Sequence, residues 1–183
     1  MKLTDNEIIM LMSQSQTSEK GLRGMMDAYQ SRLYWHIRRL IVQYDLAQDV
    51  LQDTFIKAFQ NFAQFKNDSQ LYTWLYRIAT NEALQQLAKM KKMQKADEDA
   101  EHHMQRLVAD NAEHDAEEIQ ILLQKAIQTL PEKQKLVFNI RYYDELPFEE
   151  ISKILDMSVS TCKTNYHYAK EKIENYIREN HEI

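Results

Sequence analysis

The sequence has 183 residues with 23 Lys and Arg against 28 Asp and Glu, two Gly, two Pro and one Cys. So few helix breakers argue for an almost wholly helical chain, and a single Cys excludes a disulfide framework. The net charge of −5 excludes a uniformly basic nucleic-acid binder, but the charge is unevenly spread. Residues 1–95 carry 13 Lys and Arg against 9 Asp and Glu, residues 96–129 carry 2 against 9, and residues 130–183 carry 8 against 10.

Thr4-Asp5-Asn6-Glu7 has the form of a capping box and opens a short helix holding Ile8, Ile9, Leu11 and Met12. This amphipathic start is not a signal-peptide core, and no apolar run reaches membrane-spanning length. The expected location is the cytoplasm, with no membrane insertion. Ser13 to Lys20 reads as a polar break ending at Gly21. Leu22 to Val42 is then a long helix with Met25, Met26, Tyr29, Leu33, Ile37, Leu40 and Ile41 inward and Arg32, Arg38 and Arg39 outside or at the margin. From Asp45 a third helix buries Leu51, Phe55, Ala58 and Phe62. Its second stripe holds Asp49, Gln52, Asp53, Ile56 and Gln60, so Ile56 stands among polar neighbours. An exposed apolar residue of this kind is either ordinary surface or the centre of a protein-binding patch.

The loop Phe65 to Gln70 leads into LYTWLYRIATNEALQQLAKMKK. Leu71, Leu75, Ile78, Ala79, Ala83 and Leu87 can pack inward, while Trp74, Arg77 and Asn81 share a neighbouring face. Tyr72 and Tyr76 lie close by, and Lys89, Lys91, Lys92 and Lys95 make the end basic. Aromatic rings interleaved with cations and amides suit unpaired bases and their phosphates, and they equally suit a core and its rim. Residues 96–118 are densely acidic without sustained apolar periodicity, and read as a linker with at most fractional helix. His102, His103 and His114 match no ordinary metal-ligand spacing, so no metal or other cofactor is expected.

Ile119 to Leu130 resumes helical order, and Pro131 begins a helix packing through Leu136, Val137 and Ile140. Pro147 to Leu155 forms one short helix with Ile151, Ile154 and Leu155 on its apolar face, Pro147 taking the first helical position. After Asp156-Met157, Ser158 is placed to cap a second helix in which Val159, Cys162, Tyr166, Ala169 and Ile173 make the packed stripe. Ser160, Thr161, Lys163, Thr164, His167 and Lys170 lie on its other side or at its start. This is either a plain helical hairpin or a helix-turn-helix whose second helix can enter a major groove. There is no glycine-rich phosphate loop and no nucleophile–base pairing, so an enzyme is not expected.

The segments DVLQDTFIKAF, LYTWLYRIATNEAL and LPEKQKLVFNIRYYDELPFEEISKILDMSVSTCKTNYHYAKEKI, in that order, resemble an extracytoplasmic-function sigma factor of the sigma-70 class. The resemblance implies an all-α protein of two small domains, residues 1–95 and 119–183, joined by the acidic linker 96–118, the second domain a helix-turn-helix. It implies a subunit that binds core RNA polymerase, selects promoters and helps melt them, commonly restrained by an anti-sigma factor. By the same resemblance Asp49, Gln52, Asp53 and Ile56 would dock on the polymerase. Asn67, Asp68, Ser69, Trp74, Arg77 and Asn81 would engage the melted single strand of the minus-ten element. Ser158, Ser160, Thr161, Lys163, Thr164, His167 and Lys170 would meet the duplex minus-thirty-five element. Many relatives carry arginines along the reading helix where this chain has Thr164, Asn165, Tyr166 and Tyr168. The competing reading is a stand-alone helix-turn-helix regulator with a sensing or dimerising front half.

Phosphate neutralisation supplies most non-specific affinity for DNA, and residues 130–183 have more acids than bases. The free protein is therefore predicted to bind duplex promoter DNA poorly without the polymerase. Tight, sequence-specific binding by the free protein at physiological salt, measured by fluorescence anisotropy, would refute this.

Overall fold

The computed structural model describes residues 2–66, 69–94 and 115–180. Its elements are α1 (Asp5–Met12), α2 (Ser18–Leu40), α3 (Tyr44–Gln60), a 3-10 turn (Phe62–Gln64), α4 (Leu71–Gln94), α5 (Asp115–Thr129), α6 (Glu132–Tyr142), α7 (Phe148–Leu155) and α8 (Val159–Asn180). No strand occurs among the described residues. The chain divides into two compact units, the first built on residues 1–91 and the second on most of the remainder.

In the first unit the capping box is formed at both ends. The Thr4 N–H donates to Glu7 Oε2 at 2.8 Å, and the Glu7 N–H donates to Thr4 Oγ1 at 3.4 Å. The Thr4 N–H, and after it the Thr4 hydroxyl, which also donates to Glu7 Oε2 (2.8 Å), hold the Glu7 carboxyl below its ordinary pKa. α1 then packs on α2. Here the expectation of a break ending at Gly21 is corrected: α2 starts at Ser18, and Gly21 and Gly24 lie inside it. A Cβ on Gly21 would sit 2.8 Å from the Met12 backbone nitrogen, and one on Gly24 would sit 2.5 Å from Leu3 Cδ1. The two glycines are sites of close approach, not a hinge.

Met25, Tyr29, Leu33 and Ile37 form the buried stripe of α2, as their spacing requires. Met26 leaves it and is 36% exposed, because a step of one residue turns a helix by about 100°. α4 contributes Leu71, Leu75, Ala79 and Ala83 at steps of four, all essentially without solvent contact. The polar exceptions in this core are partnered. Thr80 gives its hydroxyl proton to the Tyr76 carbonyl (2.7 Å), so His36 Nε2, 2.8 Å from Thr80 Oγ1, must be the donor of that second bond. Tyr76 is fully buried with its ring 4.8 Å from the His36 ring, which assigns it to the core and not to a nucleic-acid face.

The second unit is built on α8, which packs against α5 and α6. Ala126, Ile127, Leu130, Phe138, Ala169 and Ile173 form its core, with Leu123, Tyr143, Tyr166, Tyr176 and Ile177 packed around them. α5 begins at Asp115, four residues before the expected domain start, while the rest of the acidic segment and His102, His103 and His114 lie outside the described residues. Pro147 caps α7 instead of occupying its first turn. α7 ends on Asp156 in the left-handed region (φ 52°), where the Met157 N–H reaches back to the Ser152 carbonyl at 3.1 Å. Asp tolerates that region better than a branched residue would, and the reversal it makes lets α8 begin three residues later, at Val159.

An exposed helix interior gains about 1 kcal/mol when Gly is replaced by Ala. Gly21→Ala should do the opposite, lowering the melting temperature measured by circular dichroism, because its Cβ meets backbone that cannot step aside. An unchanged or raised melting temperature would show that α1 gives way freely.

Candidate functional site

Three outward surfaces gather the residues singled out from the sequence. The first lies on α3. Its buried side holds Ala47, Val50, Thr54, Phe55 and Ala58, so Asp49, Gln52, Asp53 and Ile56 point outward, and all four are exposed. Ile56 is 45% exposed and Phe59, one turn on, is 38%. Together with Leu22 and Met26 of α2 they line an open groove of about 570 Å³. Exposed Ile, Phe and Met rimmed by Asp and Gln form an apolar centre with a polar edge, the composition of a protein–protein contact. Phe59 and Met26 were missing from the sequence-derived set. The i+3 spacing from Ile56 could have disclosed Phe59.

The second surface lies where the end of α3 meets the start of α4. A cavity of about 500 Å³ is lined by Ser69, Trp74, Arg77 and Asn81, and on its other side by Lys57, Asn61, Gln64, Phe65 and Lys66. Arg77 and Asn81 are exposed; Ser69 and Trp74 are half-buried. The Trp74 ring packs on Phe65 (5.3 Å between centroids) and edge-on to Phe62 (5.9 Å), which holds it at the cavity wall. Asn61 is tied down by its Nδ2 bond to the Lys57 carbonyl (3.0 Å), and Gln64 donates to Asn61 Oδ1 (3.2 Å). Aromatic faces, amides and cations around one concavity can stack a base, bond its edge and hold its phosphate. Asn67 and Asp68 lie outside the described residues. Phe65 and Lys66 belong to the loop already singled out, whereas Lys57, Asn61 and Gln64 went unseen in the sequence, because α3 and the 3-10 turn reach the cavity only once α4 is folded back.

The third surface is the outer side of α8. Ser158, Ser160, Thr161, Lys163, Thr164, His167 and Lys170 are all exposed, opposite buried Cys162, Ala169 and Ile173. Ser158 is spent on capping: its Oγ accepts from the Thr161 N–H at 3.0 Å and lies 2.7 Å from Thr161 Oγ1. Asn165 turns back to bond the Thr161 carbonyl at 2.9 Å. Tyr168, 49% exposed with its ring 5.8 Å from that of His167, belongs to the same face. Its position four residues after Thr164 was the available signal. The face offers hydroxyls, two amines, an imidazole and a phenol, with no guanidinium. Burial meanwhile pushes the Cys162 thiol above its ordinary pKa.

Among the described residues no group of acids, His or Cys is arranged to hold a metal, and no helix is long and apolar enough to cross a membrane. The family model for sigma-70 region 2 matches residues 25–93, and that for sigma-70 region 4 matches residues 120–173. The ECF RNA polymerase sigma-E factor of Haemophilus influenzae is 31% identical over 97% of both chains. The ECF RNA polymerase sigma factor SigW of Bacillus subtilis is 31% identical over 88% of this chain and 91% of its own. Among solved structures, the sigma factor RpoE in complex with the anti-sigma factor NepR from Bartonella quintana shares the fold at a TM-score of 0.69, with 20% identity, over 88% of this chain and 99% of that one. CnrH in complex with the cytosolic domain of CnrY does so at 0.70, with 16% identity, over 97% and 99%. With both sigma-70 regions matched in order and relatives aligned along nearly their whole length, the chain belongs to the extracytoplasmic-function sigma factors, sigma-70-class subunits that bind core RNA polymerase and direct it to promoters.

Proposed function

We propose that the three surfaces divide the work of initiation among them. The groove centred on Ile56 docks on the core polymerase, with Asp49 and Gln52 lining it and exposed Asp53 adding to the contact outside it. The cavity holding Ser69, Trp74, Arg77 and Asn81 takes an unpaired base and its strand during melting of the minus-ten element, and Asn67 and Asp68 of the same loop belong to that site. The outer face of α8 reads the minus-thirty-five element through Ser160, Lys163, Thr164, His167 and Lys170, with Ser158 and Thr161 shaping its start. The observation that carries the proposal is the cavity: stacking rings, amides and cations converge on one concavity of the first unit. A stand-alone regulator would have no use for it, and the match to region 2 sets that reading aside.

The protein acts in the cytoplasm and performs no chemistry of its own. RpoE is found in complex with the anti-sigma factor NepR, and CnrH with the cytosolic domain of CnrY. An anti-sigma factor is the partner we infer for this chain as well. Its acidic segment, residues 96–118, joins a promoter-melting domain over residues 1–95 to an upstream-reading domain over residues 119–183.

Two variants separate the surfaces. Ile56→Glu should weaken association with core polymerase by about tenfold or more, the effect of losing one central apolar anchor, while leaving the thermal melt unchanged. Undiminished co-purification with core enzyme would remove Ile56 from the interface. Lys163→Ala with His167→Ala should cost about 1–3 kcal/mol in recognition of the upstream element. In run-off transcription from a randomised promoter library, that loss should appear as reduced or altered upstream preference at normal polymerase binding. The same preferred sequences at the same strength would exclude those two side chains from reading.

A further inference from the structure

The cavity contains a charge arrangement that its role as a strand site does not by itself require. Lys57 Nζ of α3 lies 2.5 Å from Glu82 Oε1 of α4, and both side chains line the cavity. Glu82 is the one carboxylate among the described lining residues, against the cations Lys57, Lys66 and Arg77. A carboxylate beside a site for a polyanion repels its ligand unless a cation covers it. The accessibility of the pair is lopsided: the Lys57 side chain is 42% exposed and that of Glu82 only 11%. Of the two side chains, that of Lys57 is therefore the more accessible to an entering strand, and the carboxylate is the more enclosed.

We propose that Lys57 is a contact for a phosphate of the melted strand, held in reserve by Glu82. This rests on reading the cavity as the single-strand site. In the free protein the carboxylate neutralises the amine, so the cavity attracts arbitrary single strands less strongly than its three cations would. When a strand is seated by its base on the Trp74 side, its phosphate shares Lys57 with Glu82. Charge attraction draws in every sequence alike, whereas base contacts discriminate, so a built-in competitor for one cation shifts the balance toward the base. If the pair only tied α3 to α4, loss of either partner would act alike.

The two cases give opposite signs for one substitution. The chain has two tryptophans, so in a Trp35→Phe background Trp74 alone reports from the cavity wall. Each full-length variant is titrated with a mixed-sequence single strand of about 12 nucleotides between about 50 and 200 mM salt, reading Trp74 fluorescence. Glu82→Gln should bind about two- to fivefold tighter, the range of one freed surface cation. Its salt slope should steepen by about 0.7, the value for one more neutralised phosphate on a single strand. Lys57→Met should bind more weakly than the parent, and Lys57→Met/Glu82→Gln should recover part of that loss, since the repelling carboxylate has gone. Glu82→Gln binding as the parent does, or more weakly, would overturn the proposal. A weaker Glu82→Gln with a lowered melting temperature would identify the pair as a helix tie. If the parent's Trp74 does not respond to the oligonucleotide at all, the reading of the cavity itself fails and this inference with it.

Discussion

The burial of one stripe of α4 fixes what the first unit can present to nucleic acid. Leu71, Leu75, Ala79 and Ala83 stand four residues apart with no more than 1% of their surface open. Once that stripe is turned inward, a helix of 3.6 residues per turn has no freedom left about where its other side chains go. Trp74, Arg77 and Asn81 fall on the adjoining face together, and the end of α3 supplies the opposite wall. The alanines contribute through size. A longer side chain at Ala79 or Ala83 would hold α4 away from its neighbours and open the concavity into a flat surface.

The second unit obeys the same rule with a different chemistry. Cys162, Ala169 and Ile173 fix the rotation of α8, and what faces outward mixes the short hydroxyl side chains of Ser160, Thr161 and Thr164 with Lys163, His167, Tyr168 and Lys170. Short hydroxyl-bearing side chains permit close approach to a groove but neutralise few phosphates. Such a face discriminates better than it holds. In the proposed division of labour, an upstream contact on α8 and a downstream cavity on one chain would reinforce each other when the polymerase holds both, because the second contact is then made at high effective concentration.

The periodicities carried most of this in advance. The outward set on α3, the packed stripe of α8, the cap at Ser158 and the capping box at Thr4 all follow from spacing and side-chain chemistry, because each is decided within a few residues of chain. What escaped was decided between distant segments. Gly21 is a break in a one-dimensional reading and a contact point once Met12 lies against it. Tyr76 shares its neighbourhood with Trp74 in sequence, yet one is core and the other cavity wall, a distinction that depends on where α2 brings His36. Lys57, Asn61 and Gln64 carry no motif, and only the fold brings them to the cavity that Arg77 lines. The start of α5 was missed for a local reason: acidic residues with little apolar period conceal a first helical turn that the positive end of the helix dipole favours.

The burial of Cys162 has a consequence for how this protein can be told what to do. It is the one thiol in the sequence, it has no solvent-accessible surface, and its surroundings disfavour the thiolate, the form that reacts with oxidants. Nothing in the chain is therefore poised to register a change in redox state by thiol chemistry. A thiol-based redox signal to this factor would have to be sensed on another molecule and passed on by binding or release.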